Sequence, residues 1–293
     1  MLDFKITLLL KIMSALFFLL SGFIWKRILM DGGRNYHFIF YRVVFTLFFF
    51  GLLTLYYEDD CVVGFSIFKL PFVDWITCLI VCLCSFWGLY FYTEALQKGR
   101  FSFITPLIVI SSAFSFLTSL LLYNEALSMS KYVALFLILA GLLFHQKEKL
   151  VAFQLSKEVL LILLFSVFWG VSFVFYLIPI KKFGVLNFSI LLEICVFVSC
   201  MGLLIFKEKR IIPPKLDAKN IYYCLLMGFL VAFGSLLSNF TLTQLPVSLN
   251  ILIGLFFELL VLAIGLYFFR EKLNAKDCIL IIFATIGGFL MLF

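Results

Sequence analysis

The sequence predicts an all-α integral membrane protein of about ten transmembrane helices, arranged as two inverted five-helix repeats. Three observations predict it. First, 65% of the 293 residues are hydrophobic and 13% are charged, against about 45–50% and about 25% in soluble domains. Second, apolar runs of about 20 residues recur from end to end, and each suffices to cross a hydrocarbon layer of about 30 Å. Third, LLLYNEALSMSKYVALFLILAG in the middle of the chain and GLYFFREKLNAKDCILIIFATIGG near its end share one pattern. Both run from an apolar stretch through an aromatic and a glutamate to a polar turn, then into a second apolar stretch that reaches glycine. The shift that lays Glu125 over Glu271 also lays Leu127 over Leu273 and Gly141 over Gly287.

Polar turns divide the chain into candidate helices at Leu8–Leu29, His37–Tyr56, Asp74–Leu96, Ile104–Tyr123 and Tyr132–Phe144, then Val159–Ile180, Leu186–Phe206, Ile221–Thr243, Leu249–Phe269 and Cys278–Phe293. The first has an apolar stretch longer than a signal core and no A-x-A-like site after it, so it reads as a retained helix. The fifth and tenth are shorter than the usual span of about 17–25 residues, and they fall at the same place in each half. The halves are therefore 1–150 and 151–293. Because five is odd, the second half enters the membrane from the opposite side. Inverted repeats of this kind suit alternating access to a site near the bilayer midplane.

The eight cysteines lie mostly inside apolar runs, with no partner at ligand spacing, so neither a disulfide framework nor a metal site is expected. A net charge of +7 often marks an acidic partner, but here the basic residues sit between apolar runs, where they set orientation. Most of the Lys and Arg fall in the connections after the odd-numbered helices. Lys5 and Lys11 count on the opposite side, and the positive-inside rule then places both termini outside.

The stretch EALQKGRFSFITPLIVISSAFSFLTSLLLYNEALSMSKYVALFLILAG, with Ala95-Leu96, Pro106, the Glu125 turn and Gly141, resembles the EamA-like ten-helix proteins of the drug/metabolite transporter superfamily. Arg42 in FIFYRVVF fits the same pattern. In the second half Gln244-Leu245-Pro246 and Leu252 depart from it. The resemblance implies two EamA-like repeats, a transport function, no enzymatic activity, a bacterial cytoplasmic (inner) membrane location, and termini inside, against the charge count.

Among residues able to carry chemistry, Arg42 stands first. An arginine within an apolar helix costs about 2.5–3.5 kcal/mol on insertion scales and needs a partner inside the bundle. A shift between the halves lays Arg42 over Glu193, which makes Glu193 the candidate counter-ion, either as a fixed buried pair or in ion coupling. Trp87, Tyr90 and Glu94 fall on one face of the third helix, and Trp169, Ser172 and Tyr176 on one face of the sixth. Such aromatic stripes either wall a cavity that stacks on a planar or cationic solute or serve packing. Asn250, Gly254, Glu258 and Gly265 share a face of the ninth helix. Glu258 is a candidate for proton coupling or cation recognition, or a satisfied structural acid. Ser111, Ser112 and Ser115 place polar groups at the matching depth of the fourth helix, and Asn239 with Ser235 extends the set on the eighth. Glu125 and Glu271 read as capping residues.

No phosphate-binding G-x-x-x-x-G-K-[ST] loop is present. The sequence therefore points to a secondary transporter of a small polar or amphipathic metabolite, amino acid or nucleoside-like, without a cofactor. Expected partners are that solute, a proton or another coupling ion, and the lipid bilayer, with no nucleic acid and with monomer and homodimer both open. Multidrug efflux, a membrane enzyme and a structural subunit are the alternatives.

Overall fold

The computed structural model describes residues 3–30, 32–56, 69–99, 101–123, 129–130, 132–134, 136–137, 140–141, 144, 157–251, 253–254, 257 and 275–291. Among the described residues there is no strand. The continuous helices are α1 (Phe4–Met30), α2 (Asn35–Tyr56), α3 (Phe72–Lys98), α4 (Phe101–Tyr123), α5 (Lys157–Phe175), α6 (Leu177–Phe183), α7 (Val185–Glu208), α8 (Ala218–Gln244) and α9 (Ala275–Met291). Described residues at 132–134 and 247–251 are helical as well. Among the described residues, six helices are long and apolar enough to cross a membrane: Phe4–Met30, Asn35–Leu55, Phe72–Lys98, Lys157–Phe175, Val185–Glu208 and Ala218–Gln244.

Burial follows the logic of a lipid solvent. Leu55, Leu121 and Phe206 are 76%, 85% and 80% exposed, while Ser14, Thr46, Ser119, Ser166 and Thr241 are fully buried. Most of these small hydroxyls satisfy themselves on their own helices, Thr46 Oγ1 donating to the Arg42 carbonyl at 2.9 Å and Ser166 Oγ to the Ile162 carbonyl at 2.7 Å, whereas Ser14 Oγ crosses to a carbonyl of α8. They leave a thin surface across which helices come close, and close packing drives helix association in lipid.

The chain divides into two compact units. Unit 1 is Met1–Tyr90 with Phe175–Leu245, and unit 2 is Phe91–Val174 with Pro246–Phe293. Each takes chain from both halves of the sequence, so the compact units do not coincide with 1–150 and 151–293. In unit 1, α1 lies along α8, and α2 packs on α7 and α8. Gly228 permits this: a Cβ there would lie 2.6 Å from Phe45 Cβ and 3.0 Å from backbone atoms of Phe45 and Thr46. In unit 2, α4 packs on α9. A Cβ at Gly170 would meet the Ser111 carbonyl at 2.6 Å, and one at Gly141 would meet Phe283 Cβ at 2.6 Å.

The connections have local causes. Gly32 and Gly33, with φ of 91° and 100°, turn α1 into α2. At the end of α7, Lys209 takes a left-handed conformation, its N–H reaching the Ile205 carbonyl while Arg210 N–H reaches that of Leu204, a pairing that closes the last turn. The expected single helix Val159–Ile180 is in fact two, α5 and α6, interrupted at Tyr176. Pro179 explains the break, because it has no N–H to offer the Phe175 carbonyl and its ring crowds that oxygen. Ile180 N–H still reaches the Tyr176 carbonyl at 3.0 Å.

Candidate functional site

Two helices of unit 1 bring opposite charges together deep in the protein. Arg42 Nη1 on α2 donates to Glu193 Oε1 at 2.7 Å and Oε2 at 2.8 Å on α7. Their side chains are 3% and 5% exposed. One nitrogen makes both bonds, and Arg42 Nε is buried without a hydrogen-bond partner among the described residues. Taking two charges out of water is expensive, and close pairing offsets the cost.

Unit 1 holds further buried polar contacts. Asn239 Nδ2 on α8 donates to Ser189 Oγ at 2.9 Å, one turn before Glu193 on α7. Ser189 in turn donates to the Val185 carbonyl at 2.8 Å. The Tyr176 hydroxyl, in the break between α5 and α6, is hydrogen-bonded to Ser85 on α3, and its ring meets Phe188 edge-on. Lys11 is 5% exposed, and its Nζ donates to Ser238 Oγ at 3.3 Å. Ser14 Oγ reaches the Gly234 carbonyl at 2.7 Å.

A second cluster forms where α2 begins and α7 ends. Glu208 Oε1 accepts from Arg34 Nη1 at 2.7 Å and from the Tyr36 hydroxyl at 2.7 Å, and lies 2.6 Å from His37 Nε2. Beside it, Lys207 Nζ donates to the Tyr90 hydroxyl at 2.9 Å. Arg34, outside the spans, has its pKa raised by its hydrogen bond with Tyr36 and then by Glu208, so it stays cationic.

The other candidates divide between the units. Trp87 and Tyr90 lie together in unit 1, rings 5.7 Å apart, whereas Glu94 on the same helix belongs to unit 2 and is ion-paired with Lys98 one turn on. Trp169 lies in unit 2 beside Phe165, centroids 6.2 Å apart, so the break at Tyr176 divides the expected stripe of the sixth helix. Ser115 Oγ donates to the Gly170 carbonyl at 2.7 Å, and Ser111 is buried against the same glycine; both sit in the α4–α5 contact. Ser235 bonds the Ala232 carbonyl within α8, and Asn250 that of Pro246. Glu258, Glu125, Glu271 and Gly265 lie outside the described residues.

The sequence reading did not single out Lys11, Arg34, Tyr36, His37, Lys207 or Glu208 as a site. The one signal was Glu208 itself, an acid inside the basic run KEKR.

The comparisons with known proteins agree with the helical architecture. The model of the EamA-like transporter family matches residues 5–145 and again 156–293. No match is found among curated proteins. One solved structure, named only "Crystal structure of protein", is 14% identical, with a TM-score of 0.63 over 98% of this chain and 96% of that one, a likeness that shows the fold alone. With two successive family matches spanning nearly the whole chain, and with six helices among the described residues long and apolar enough to cross a membrane, this multi-pass membrane protein belongs to the EamA-like transporter family.

Proposed function

We propose that the chain is a secondary transporter that moves a small polar or amphipathic metabolite, an amino acid or nucleoside-like solute, by alternating access of two inverted five-helix repeats, ten helices in all. The observation that carries this reading is the double family match. The buried Arg42–Glu193 pair supports it, because an intramembrane charge pair is costly to keep and recurs where solutes or ions pass. In this reading Arg42 and Glu193 orient the two halves or take part in ion coupling. Trp87 and Tyr90 offer aromatic faces to the solute. Glu258 is the proton-coupling carboxylate, and the bacterial cytoplasmic membrane is its setting.

The test is counterflow and uptake of a metabolite panel by the purified protein in liposomes, with and without a pH gradient. The reading expects at least one solute to exchange, with uptake responding to the gradient. Failure of every solute, in both orientations and with folded protein, overturns it. Glu258→Gln is expected to remove the pH dependence; an unchanged profile removes Glu258 from the coupling role.

A further inference from the structure

The connection between α7 and α8, residues 209–217, carries a surface that the transport reading does not use. Lys209, Arg210 and Lys215 are exposed and make no side-chain hydrogen bond or ion pair among the described residues. Ile211 and Ile212, set between them, are 59% and 67% exposed, and Tyr222 near the start of α8 is 61% exposed. We infer that this connection is a docking site for an anionic phospholipid, its cations meeting the headgroup phosphate and its isoleucines entering the acyl boundary.

The loop is laid against the helix ends instead of reaching into water. Pro213 is buried, and the Tyr41 hydroxyl on α2 reaches the Pro213 carbonyl at 3.4 Å and the Pro214 carbonyl at 3.2 Å. Tyr41 lies less than two turns into α2, and a helical side chain leans toward the N-terminus of its helix, so these carbonyls sit near the level where α2 begins. Glu208 holds the end of α7 at that level through Arg34 and Tyr36. Membrane helices of this length end among the headgroups, and the loop presents its basic and apolar side chains there. Nearby acids do not cancel the charge. Glu208 is turned to Arg34, Tyr36 and His37, which leaves Asp217 as the one exposed acid between 207 and 219. Lys219 in the first turn of α8 adds a further cation, its Nζ 5.9 Å from the Tyr223 ring centroid. Basic residues at a membrane surface attract anionic lipid, and apolar side chains beside them add the burial of their own surface. A phospholipid joins phosphate to hydrocarbon over the same short distance.

The test is native mass spectrometry of the purified full chain in detergent, titrated with phosphatidylglycerol or with phosphatidylcholine of the same acyl chains. The wild type is expected to hold the anionic lipid about fivefold or more tightly than the zwitterionic one, about the effect of one basic residue at a charged surface. The triple variant Lys209→Gln, Arg210→Gln and Lys215→Gln loses that preference. A charge-matched control at the exposed Lys5, Lys69 and Lys181, each changed to Gln, keeps it. Ile211→Asn with Ile212→Asn weakens both lipids and leaves the preference in place. Inorganic phosphate at equal concentration does not compete. Each variant is first shown to be monodisperse, and if the isoleucine pair fails to fold, the two triple variants decide. Equal retention of the two lipids by the wild type, an unchanged preference in the loop triple variant, or the same loss in the control overturns the proposal. Competition by inorganic phosphate overturns it as well, since the loop then binds a free anion and not a lipid.

Discussion

Two arginine–carboxylate pairs tie α2, or the residue just before it, to α7, one deep and one at the helix ends, and at the level of distance they are alike. Arg42–Glu193 and Arg34–Glu208 both close to 2.7 Å. Their surroundings differ: the deep side chains are 3% and 5% exposed, whereas Arg34 is 57% exposed. An exposed pair gains little because water screens it and long side chains resist being fixed. A buried pair stands or falls as a unit, because the partner left behind is a bare charge in an apolar medium. Depth, and not bond length, separates a pair that holds the fold from one that can rearrange.

The largest expected effect breaks the deep pair. Arg42→Met or Glu193→Met alone is expected to lower stability by about 3–5 kcal/mol, read as a fall in the thermal midpoint in detergent. A loss below about 1 kcal/mol would mean the pair is wet. Next, the packing that encloses it can be strained without touching a charge. Gly228→Ala drives a methyl against Phe45 on the helix of Arg42 and is expected to cost about 1–3 kcal/mol. Gly202→Ala, where nothing lies within 4 Å, is the control and is expected to stay within about 0.5 kcal/mol of wild type.

At the helix ends the effects shrink. Glu208→Gln weakens bonds to three partners at once and is expected to cost about 1–2 kcal/mol. Arg34→Met removes one exposed member and is expected to give the smallest fall in thermal midpoint of the set, most of it gone at high salt. If Arg34→Met costs as much as Arg42→Met, exposure is not what distinguishes the two regions.

What could be read from the sequence follows the same division. Arg42 was legible because a charge inside an apolar helix must find a partner, and aligning the halves offers Glu193. The helical class was legible from composition and run length. Pro179 lies so near the end of its apolar run that it reads as a terminus, and only the packed chain shows Tyr176 turned to Ser85 across the break. Lys11 reads as a flanking charge, yet α1 begins at Phe4, which places Lys11 two turns inside and against Ser238. Glu208 hides in a run that looks solvated, and its partners Arg34, Tyr36 and His37 are distant in sequence with no repeat to link them. The interleaved units were not legible either. Repeats are neighbours along the chain, while packing pairs α1 and α2 with α7 and α8 from the other half.

Whether Arg42 and Glu193 act as one unit binding the two halves of the sequence is decided by a double-mutant cycle on thermal unfolding of the purified chain. The two single methionine variants are each expected to be strongly destabilised, while Arg42→Met with Glu193→Met returns to within about 1 kcal/mol of wild type, since well-packed apolar side chains can replace a buried pair. A double variant that loses the sum of the two single losses would contradict it.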